Sequence, residues 1–238
     1  MRLLLPEQRQ LDDLLDLYDT HRSACLRGGF VMSMDGAVAV DGGSRPLQGP
    51  ADKVAFAALR AVCDAVVVGA GTARSEDYGP VRPGTAARAW RAAHDRRPAP
   101  LVLLSRSLQL DPRARAFTGE VRTIVLTCAA ATVPDGLHEV ADVVVVGDDA
   151  VDLPSAVAAL HERGLTRLLC EGGPRLLTDL LHDGLLDELC LTLSPLLVGH
   201  APTLITQALT APVRLELLHV VDGGDGSLLV RYGVGRVT

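Results

Sequence analysis

Residues 168 to 176, Leu-Leu-Cys-Glu-Gly-Gly-Pro-Arg-Leu, constrain the fold most, because they predict a buried strand that runs through an acid and two glycines straight into a helix. Gly172 and Gly173 let the backbone approach a ligand closely, and Pro174 suits the first helical position, which needs no N–H. The free N–H groups and the positive dipole end of such a helix favour an anion. This stretch therefore predicts either a phosphate site or a tight turn without a ligand.

Two other predicted strands, over 65–69 and 101–104, also end in small or phosphate-binding residues. The residues at these strand ends are Gly69, Ala70, Gly71 and Thr72 for the first strand, and Ser105 and Arg106 for the second. In open α/β sheets, ligands bind outside the carboxyl ends of the strands, so the three strand ends together predict one nucleotide cleft. The pattern is not that of a Rossmann dehydrogenase, because Arg74 stands where a third glycine would be.

The distribution of apolar residues predicts an α/β fold in a single domain over 1–238. Continuous runs of Val and Leu indicate strands that are covered on both faces, as in a mostly parallel central sheet flanked by helices. After Leu185, strands follow one another without a long helix, which predicts antiparallel C-terminal strands. The predicted strands are 65–69, 101–104, 122–127, 142–146, 166–170, 189–193, 213–217 and 227–232, and the predicted helices are 50–63, 154–163 and 174–182.

Three further segments carry local signals. Apolar residues at helical spacing predict a helix over 7–19, within an N-terminal helical extension of about 1–25. Asp35 followed by Gly36 favours a hairpin turn after a strand near 30–33, with 37–40 as the returning strand. Residues 79–99 are rich in Pro, Gly, Ala and Arg and are expected to be irregular.

Charge and composition argue against several classes of function. The net charge is −6 and no basic run is interleaved with aromatic residues, so nucleic acid is not an expected partner. No apolar run approaches the roughly 18 residues of a membrane span, and the first residues do not read as a signal peptide, so we expect no membrane partner and a cytoplasmic protein. The five cysteines are widely spaced and the histidines scattered, which predicts no metal site. A small-molecule substrate is the remaining expectation.

Several motifs occur together in one order along the chain. They are Ser33-Met34-Asp35-Gly36, Gly49-Pro50, Gly69-Ala70-Gly71-Thr72 followed by Glu76-Asp77, Ser105-Arg106, and Glu171-Gly172-Gly173-Pro174. Over roughly residues 26 to 232, the chain resembles the reductase domain of riboflavin biosynthesis, a pyrimidine reductase family with a dihydrofolate reductase-like fold. The resemblance implies NADPH-dependent reduction of a ribosylamino group to a ribitylamino group, on a substrate such as 5-amino-6-(5-phosphoribosylamino)uracil. The H-x-E and P-C-x-x-C zinc ligands of the deaminase that accompanies some relatives are absent from this sequence.

The resemblance also implies roles for individual residues. The cofactor-binding residues that it implies are Gly69, Ala70, Gly71, Thr72, Ser105, Arg106, Glu171, Gly172, Gly173 and Pro174. Arg106 suits the 2′-phosphate of NADPH, because a guanidinium offers a fixed charge and a fork of donors; the alternative is an ordinary surface arginine. Asp35, Glu76 and Asp77 are catalytic candidates that would orient the substrate or assist proton delivery. Their alternative roles are structural, in the hairpin turn and at a helix end.

The resemblance implies that Gly29 and Ser33, on the first strand, bind the substrate; residues four apart on a strand share a face. Family members with riboflavin activity usually carry Lys where this chain has Gly29, and a close subgroup carries Asn. Because Gly29 has no side chain, we expect cofactor binding like that of these family members but a different substrate preference. A reductase of a pterin such as dihydrofolate and a catalytically silent nucleotide-binding protein therefore remain alternatives. Exposed apolar faces on the strands after Leu185 predict a homodimer.

Overall fold

The structure is a computed structural model that describes residues 1–19 and 22–235. Its strands are β1 (Arg2–Leu5), β2 (Arg9–Gln10), β3 (Cys25–Ser33), β4 (Ala65–Gly69), β5 (Leu101–Leu104), β6 (Thr123–Thr127), β7 (Ala141–Val145), β8 (Arg167–Gly172), β9 (Glu188–Ser194), β10 (Leu215–Asp222) and β11 (Leu228–Val234). They form one sheet in the order β2-β1-β10-β11-β9-β3-β8-β4-β5-β6-β7. From β9 to β7 along this order, neighbouring strands are parallel, and from β9 to β2 they are antiparallel.

Helices cover both faces of the sheet. They are α1 (Leu15–Tyr18), α2 (Pro50–Val62), α3 (Ala70–Ser75), α4 (Thr85–Ala93), α5 (Leu137–Val140), α6 (Leu153–Glu162) and α7 (Pro174–His182). One core layer contains residues of α2 and α4, and the opposite layer contains residues of α6 and α7. Successive valines of β4 enter different layers, with Val66 and Val68 in the first and Val67 in the second. This two-sided burial explains why the strand is a continuous apolar run.

The sheet opens at its centre, beside β3. This strand pairs with β8 from Cys25 to Gly28, whereas its pairing with β9 continues to Ser33. A shift in the pairing of β4 with β8 leaves Glu171 as an extra residue between two paired positions. Such bulges redirect side chains and are common next to active sites. The opening and the bulge lie at the carboxyl ends of the strands, where the candidate site is found.

The α/β architecture predicted from the sequence is confirmed, including the mostly parallel central sheet flanked by helices and the antiparallel C-terminal strands. The predicted N-terminal helix over 7–19 is wrong for most of its length. Residues Arg2–Leu5 pair with β10 and with Arg9–Gln10, and only Leu15–Tyr18 is helical. Leu14 and Tyr18 are nevertheless buried. The apolar spacing therefore indicated which residues pack against the core, but it did not indicate a continuous helix.

Two more local predictions are corrected. Residues 37–40 do not return as a strand beside β3 but form isolated bridges, Ala37 to Thr203 and Val40 to Gly43. Ala37 and Val38 pair instead with the loop at 202–203, where the Val38 amide donates to the Pro202 carbonyl (2.9 Å). Within 79–99, expected to be irregular, Thr85–Ala93 forms α4, because Ala87 and Trp90 make an apolar stripe that is buried. Among the residues described, no helix is long and apolar enough to cross a membrane.

Candidate active site

A cleft of about 580 Å³ lies at the carboxyl ends of β4 and β5, beside the start of α7. Its lining includes Gly69, Ala70, Gly71, Thr72, Ser105, Arg106, Ala150, Val151, Gly173, Arg175 and Leu176. The structure thus brings the three glycine-rich or phosphate-binding strand ends to one place. A cleft of this volume, lined by glycines, apolar residues and several polar side chains, is of the size that cofactors occupy.

The turn between β8 and α7 depends on its glycines. Gly172 has a φ of +121°, a conformation that other residues rarely adopt. A Cβ atom at Gly173 would collide with the hydroxyl of Thr72, and one at Gly69 would lie 3.7 Å from the amide nitrogen of Gly173. The two turns therefore lie close together, without side chains at Gly69 and Gly173, and α7 begins beside them. Such a cradle fits a phosphate group.

Ser105 and Arg106 lie on the other wall of this cleft. The Ser105 hydroxyl accepts a hydrogen bond from the Leu108 amide (3.0 Å), so it shapes its own loop as well as lining the cleft. The Arg106 side chain is exposed, and its Nε donates to the Asp149 carbonyl (3.0 Å). This bond uses one donor and leaves the rest of the guanidinium at the cleft.

A second cavity of about 280 Å³ adjoins the cleft, and Thr72 and Gly173 line both. Its other lining residues include Gly29, Phe30, Val31, Ser44, Gln48, Phe56, Arg60, Glu76, Tyr78, Glu171 and Pro174. The larger cleft is of nucleotide size. The smaller cavity forms a chamber that adjoins it at the glycine turns. Of the implied cofactor residues, Glu171 and Pro174 lie in this smaller cavity rather than in the cleft.

Glu171 is held by two side chains from other elements. Its two carboxylate oxygens accept hydrogen bonds from Nε and Nη2 of Arg60 (2.6 Å each), and Tyr78 donates to one of them (3.0 Å). The Glu171 side chain is fully buried, whereas 39% of the Arg60 side chain is exposed. Burial, together with the Glu171 charge, raises the pKa of Tyr78 well above its usual range, so the phenol remains a donor. A bidentate ion pair of this kind fixes both partners in one geometry.

Gly29 lies on the wall of the smaller cavity, between β3 and α2. A Cβ atom there would lie 3.1 Å from Leu169 Cδ1, 3.5 Å from Leu59 Cδ1 and 3.9 Å from Phe56 Cε1. A longer side chain could enter only after Leu169 moved by a few tenths of an ångström. Gly29 and Arg60 line the same cavity.

The two acids after α3 point in different directions. Glu76 lines the smaller cavity, where its carboxylate accepts a hydrogen bond from the Ser44 amide (2.7 Å). Asp77 has a φ of +50° and pairs on the surface with Arg115 (2.7 Å). The structure thus brings Glu76 to the site and places the Asp77 carboxylate in a surface ion pair.

Asp35 and Ser33 form a turn and are not among the residues that line the cleft or the smaller cavity. The Asp35 carboxylate accepts hydrogen bonds from the Ser33 hydroxyl and from the amides of Gly199 and Val198. These bonds, with Ser33 first, lower the pKa of Asp35 to about 2. Ser33 is completely buried, and its hydroxyl also accepts from the Ala37 amide (2.9 Å). Both side chains are occupied in joining the 33–37 turn to the loop at 198–199.

Arg60 and Tyr78 were not among the site residues predicted from the sequence. Arg60 lies on the helical pattern of α2, where an arginine is expected on the solvent side, and Tyr78 lies in an irregular segment. A signal was nevertheless available, because a buried carboxylate such as Glu171 requires donors. Among the residues that the structure describes, no group of three or more His, Cys, Asp or Glu could hold a metal ion.

Comparison with known proteins identifies the family of the chain. The family model for the RibD C-terminal domain matches residues 26–229, which is most of the chain. The chain belongs to the RibD C-terminal domain family. The two adjoining cavities, their glycine turns and Glu171 all fall within the part that matches this RibD C-terminal domain model.

Relatives and solved structures of the RibD C-terminal domain type extend the comparison. The chain is 32% identical over 212 residues to the 2,5-diamino-6-ribosylamino-4(3H)-pyrimidinone 5′-phosphate reductase of Methanothermobacter thermautotrophicus, covering 85% of this chain and 94% of that one. It is similar to the crystal structure of a pyrimidine reductase-like protein from Corynebacterium diphtheriae, with a TM-score of 0.80 and 28% identity over 90% of this chain and 93% of that one. Dihydrofolate reductase from Enterococcus faecalis shares the fold at a TM-score of 0.50 and 13% identity, over 89% and 96% of the two chains.

Proposed function

We propose that this protein is an NADPH-dependent reductase that converts the ribosylamino group of a pyrimidine 5′-phosphate into a ribitylamino group. The observation that carries the proposal is the junction at Thr72 and Gly173, where a nucleotide-sized cleft meets a smaller polar chamber. A transfer between cofactor and substrate needs such a junction, since the reacting atoms must meet at about 3 to 3.5 Å. Membership in the family and the name of the Methanothermobacter relative support the same reaction.

The residues present fit a dinucleotide cofactor. The bare turns at Gly69 and Gly173 and the start of α7 would hold its pyrophosphate, and Arg106 would bind a 2′-phosphate. When bound, the nicotinamide supplies the hydride. The protein's own contribution is to hold the two rings at the junction and to keep water out, because hydride transfer needs little else.

On the substrate side, Arg60 is the guanidinium that lines the chamber. The N–H of Nε and one N–H of Nη2 are used by Glu171, so both N–H groups of Nη1 and the second N–H of Nη2 are left for a ligand oxygen. We assign Arg60 to the substrate phosphate and Glu171 to the orientation of Arg60. Glu76 and the amide of Ser44, which it holds, would face the pyrimidine or the sugar hydroxyls.

The choice of pyrimidine follows from the relatives. The enzyme from Methanothermobacter is named for the 2,5-diaminopyrimidinone, and a second relative with the same name, from Archaeoglobus fulgidus, is 31% identical over 174 residues. We therefore place the diaminopyrimidinone first and the aminouracil second. The small chamber and the missing side chain at Gly29 determine how each ring fits.

The test is NADPH oxidation by the purified protein with the two pyrimidine phosphates and, separately, with dihydrofolate. We expect turnover of a pyrimidine, a product heavier by two hydrogens in mass spectrometry, and no turnover of dihydrofolate. NADH should bind roughly ten- to hundredfold more weakly, because a charge-assisted hydrogen bond contributes about 1.5 to 3 kcal/mol. Dihydrofolate reduction without pyrimidine reduction would contradict the proposal, as would tight NADPH binding with no turnover.

We also propose a homodimer and a cytoplasmic location. Leu215, Leu217 and Leu218 on β10 have 40%, 42% and 37% of their surfaces exposed, which a second copy would cover. All five cysteines are free and buried, which suits a reducing compartment.

A further inference from the structure

A third cavity, of about 610 Å³, lies between α4, the segment 80–83 and the loop at 118–121. We call it the α4 cavity. Its lining consists of Pro80, Val81, Arg82, Pro83, Arg88, Arg91, Ala92, Arg96, Pro98, Ala99, Leu101, Thr118, Gly119, Glu120 and Val121. Among the described residues, it shares no lining residue with the cleft or the smaller chamber, so it is a separate space.

The charge of the α4 cavity is opposite to that of the protein. Four guanidinium groups line it, from Arg82, Arg88, Arg91 and Arg96, against the single carboxylate of Glu120. The whole chain carries a net charge of −6, so this concentration of positive charge is local. A concave surface lined by one sign of charge attracts ligands of the other sign.

Two of these arginines are available at the rim. Arg82 is exposed and makes no hydrogen bond or ion pair with the residues that the structure describes. Arg88 is exposed as well, and its two terminal nitrogens are steadied by the Pro83 carbonyl (2.8 Å) and the Thr85 hydroxyl (3.3 Å). Each guanidinium has five N–H donors, so both retain donors for a ligand.

The other two arginines are buried deeper. Arg96 faces Asp19 and Asp64 at 3.7 and 3.8 Å, yet its Nε atom is buried without a partner. Arg91 donates to the carbonyls of Ala61 and Cys63 (2.7 Å each), at the end of α2. A buried unpaired donor destabilises the folded protein, so a ligand or water oxygen at Arg96 would recover stability.

The rest of the lining is apolar and stiff. Three prolines, with Val81 and Leu101, add apolar surface to a lining that also holds the arginines. The volume is close to that of the cleft at the glycine turns. From this combination we propose that the α4 cavity binds a phosphate monoester that carries a flat ring, of nucleoside monophosphate size.

Trp90 makes the proposal testable, because it is the only tryptophan of the chain and precedes Arg91 on α4. Its ring is buried and stacked on His94, with ring centroids 4.1 Å apart. Its fluorescence therefore reports on α4. The probe is adenosine 5′-monophosphate, titrated into the full-length protein with NAD⁺ at saturation, which fills the first cleft but carries no phosphate monoester. Adenosine is the control that lacks the phosphate.

We expect a saturable change in Trp90 emission with adenosine 5′-monophosphate and at least tenfold weaker binding of adenosine. The double variant Arg82→Ala/Arg88→Ala should weaken nucleotide binding at least tenfold. Arg163→Ala, which removes an exposed arginine at the end of α6, should leave it unchanged. Equal responses to the two probes, no response to either, or an unchanged affinity in the double variant would overturn the proposal. Circular dichroism confirms that each variant is folded.

Discussion

Glu171 is the buried carboxylate that holds Arg60 in position in the smaller chamber. Glu171→Gln keeps the shape but removes the charge that orients Arg60, so kcat/KM for the pyrimidine phosphate should fall about 10- to 100-fold, as expected when a charge-assisted pair of about 1.5 to 3 kcal/mol is lost. The dissociation constant of NADPH should stay unchanged, because Glu171 lines only the chamber.

Tyr78→Phe is the matched control, since it removes one of the three hydrogen bonds to Glu171 and no charge. Its effect should be smaller, about two- to tenfold, in line with 0.5 to 1.5 kcal/mol for a neutral hydrogen bond. Steady-state kinetics and a cofactor titration measure both variants. If Glu171→Gln weakened NADPH binding and left kcat/KM intact, the assignment of Glu171 to the substrate side would fail.

Substitutions at Gly173 test the proposed cofactor site. Gly173→Ala adds a methyl group that collides with the Thr72 hydroxyl, so the two turns must separate and NADPH should bind at least tenfold more weakly. Gly173→Val should abolish binding while the fold survives. The double variant Gly173→Ala/Thr72→Ala removes the obstructing hydroxyl and should restore part of the affinity. Full affinity in Gly173→Val would place the pyrophosphate elsewhere.

Helix α2 contains a buried carboxylate whose titration affects stability. Asp52 is almost fully buried, its Oδ1 has no partner among the described residues, and desolvation raises its pKa from 3.8 to about 6. The folded protein thus binds the proton more tightly than the unfolded chain. The free energy of unfolding therefore decreases as the pH rises from about 4 through 6.

Asp52→Asn removes this pH-dependent loss. We expect the variant to be more stable than the wild type by about 1 to 2 kcal/mol at pH 8, with the difference disappearing near pH 3.5. Urea unfolding at the two pH values measures it. Asp12→Asn, at an exposed position outside α2, serves as the control and should change little. A variant less stable than the wild type at pH 8 would show that Asp52 is stabilising as a carboxylate.

At the scale of elements, the helices and strands that depend on local periodicity could be predicted from the sequence. Those that depend on contacts with residues distant in the chain could not. The central strands and α2, α6 and α7 follow from apolar runs, Pro50 and Pro174. The strand Arg2–Leu5 could not be predicted, because its partner, β10, lies more than 200 residues away. The same reason explains which parts of the site could be predicted. The glycine turns are local sequence signals, whereas Arg60, Tyr78 and Glu171 come into contact only after folding.

At the scale of the whole molecule, we expect two copies of the protein to associate through β10. Leu217→Arg places a charge on the exposed apolar strand and should convert the dimer into a monomer of 25.1 kDa. Leu197→Arg changes a leucine that is 81% exposed but lies outside β10, and should leave the dimer intact. Sedimentation velocity measures the mass. A monomeric wild type would refute the homodimer.

Because Thr72 and Gly173 belong to both the cleft and the chamber, whatever fills the cleft also completes one wall of the chamber. A pyrimidine that entered first would meet an open side and few contacts there. Binding should therefore follow a compulsory order, with the nucleotide first and the oxidised nucleotide last to leave. In product-inhibition kinetics, NADP⁺ would then compete with NADPH and not with the pyrimidine phosphate.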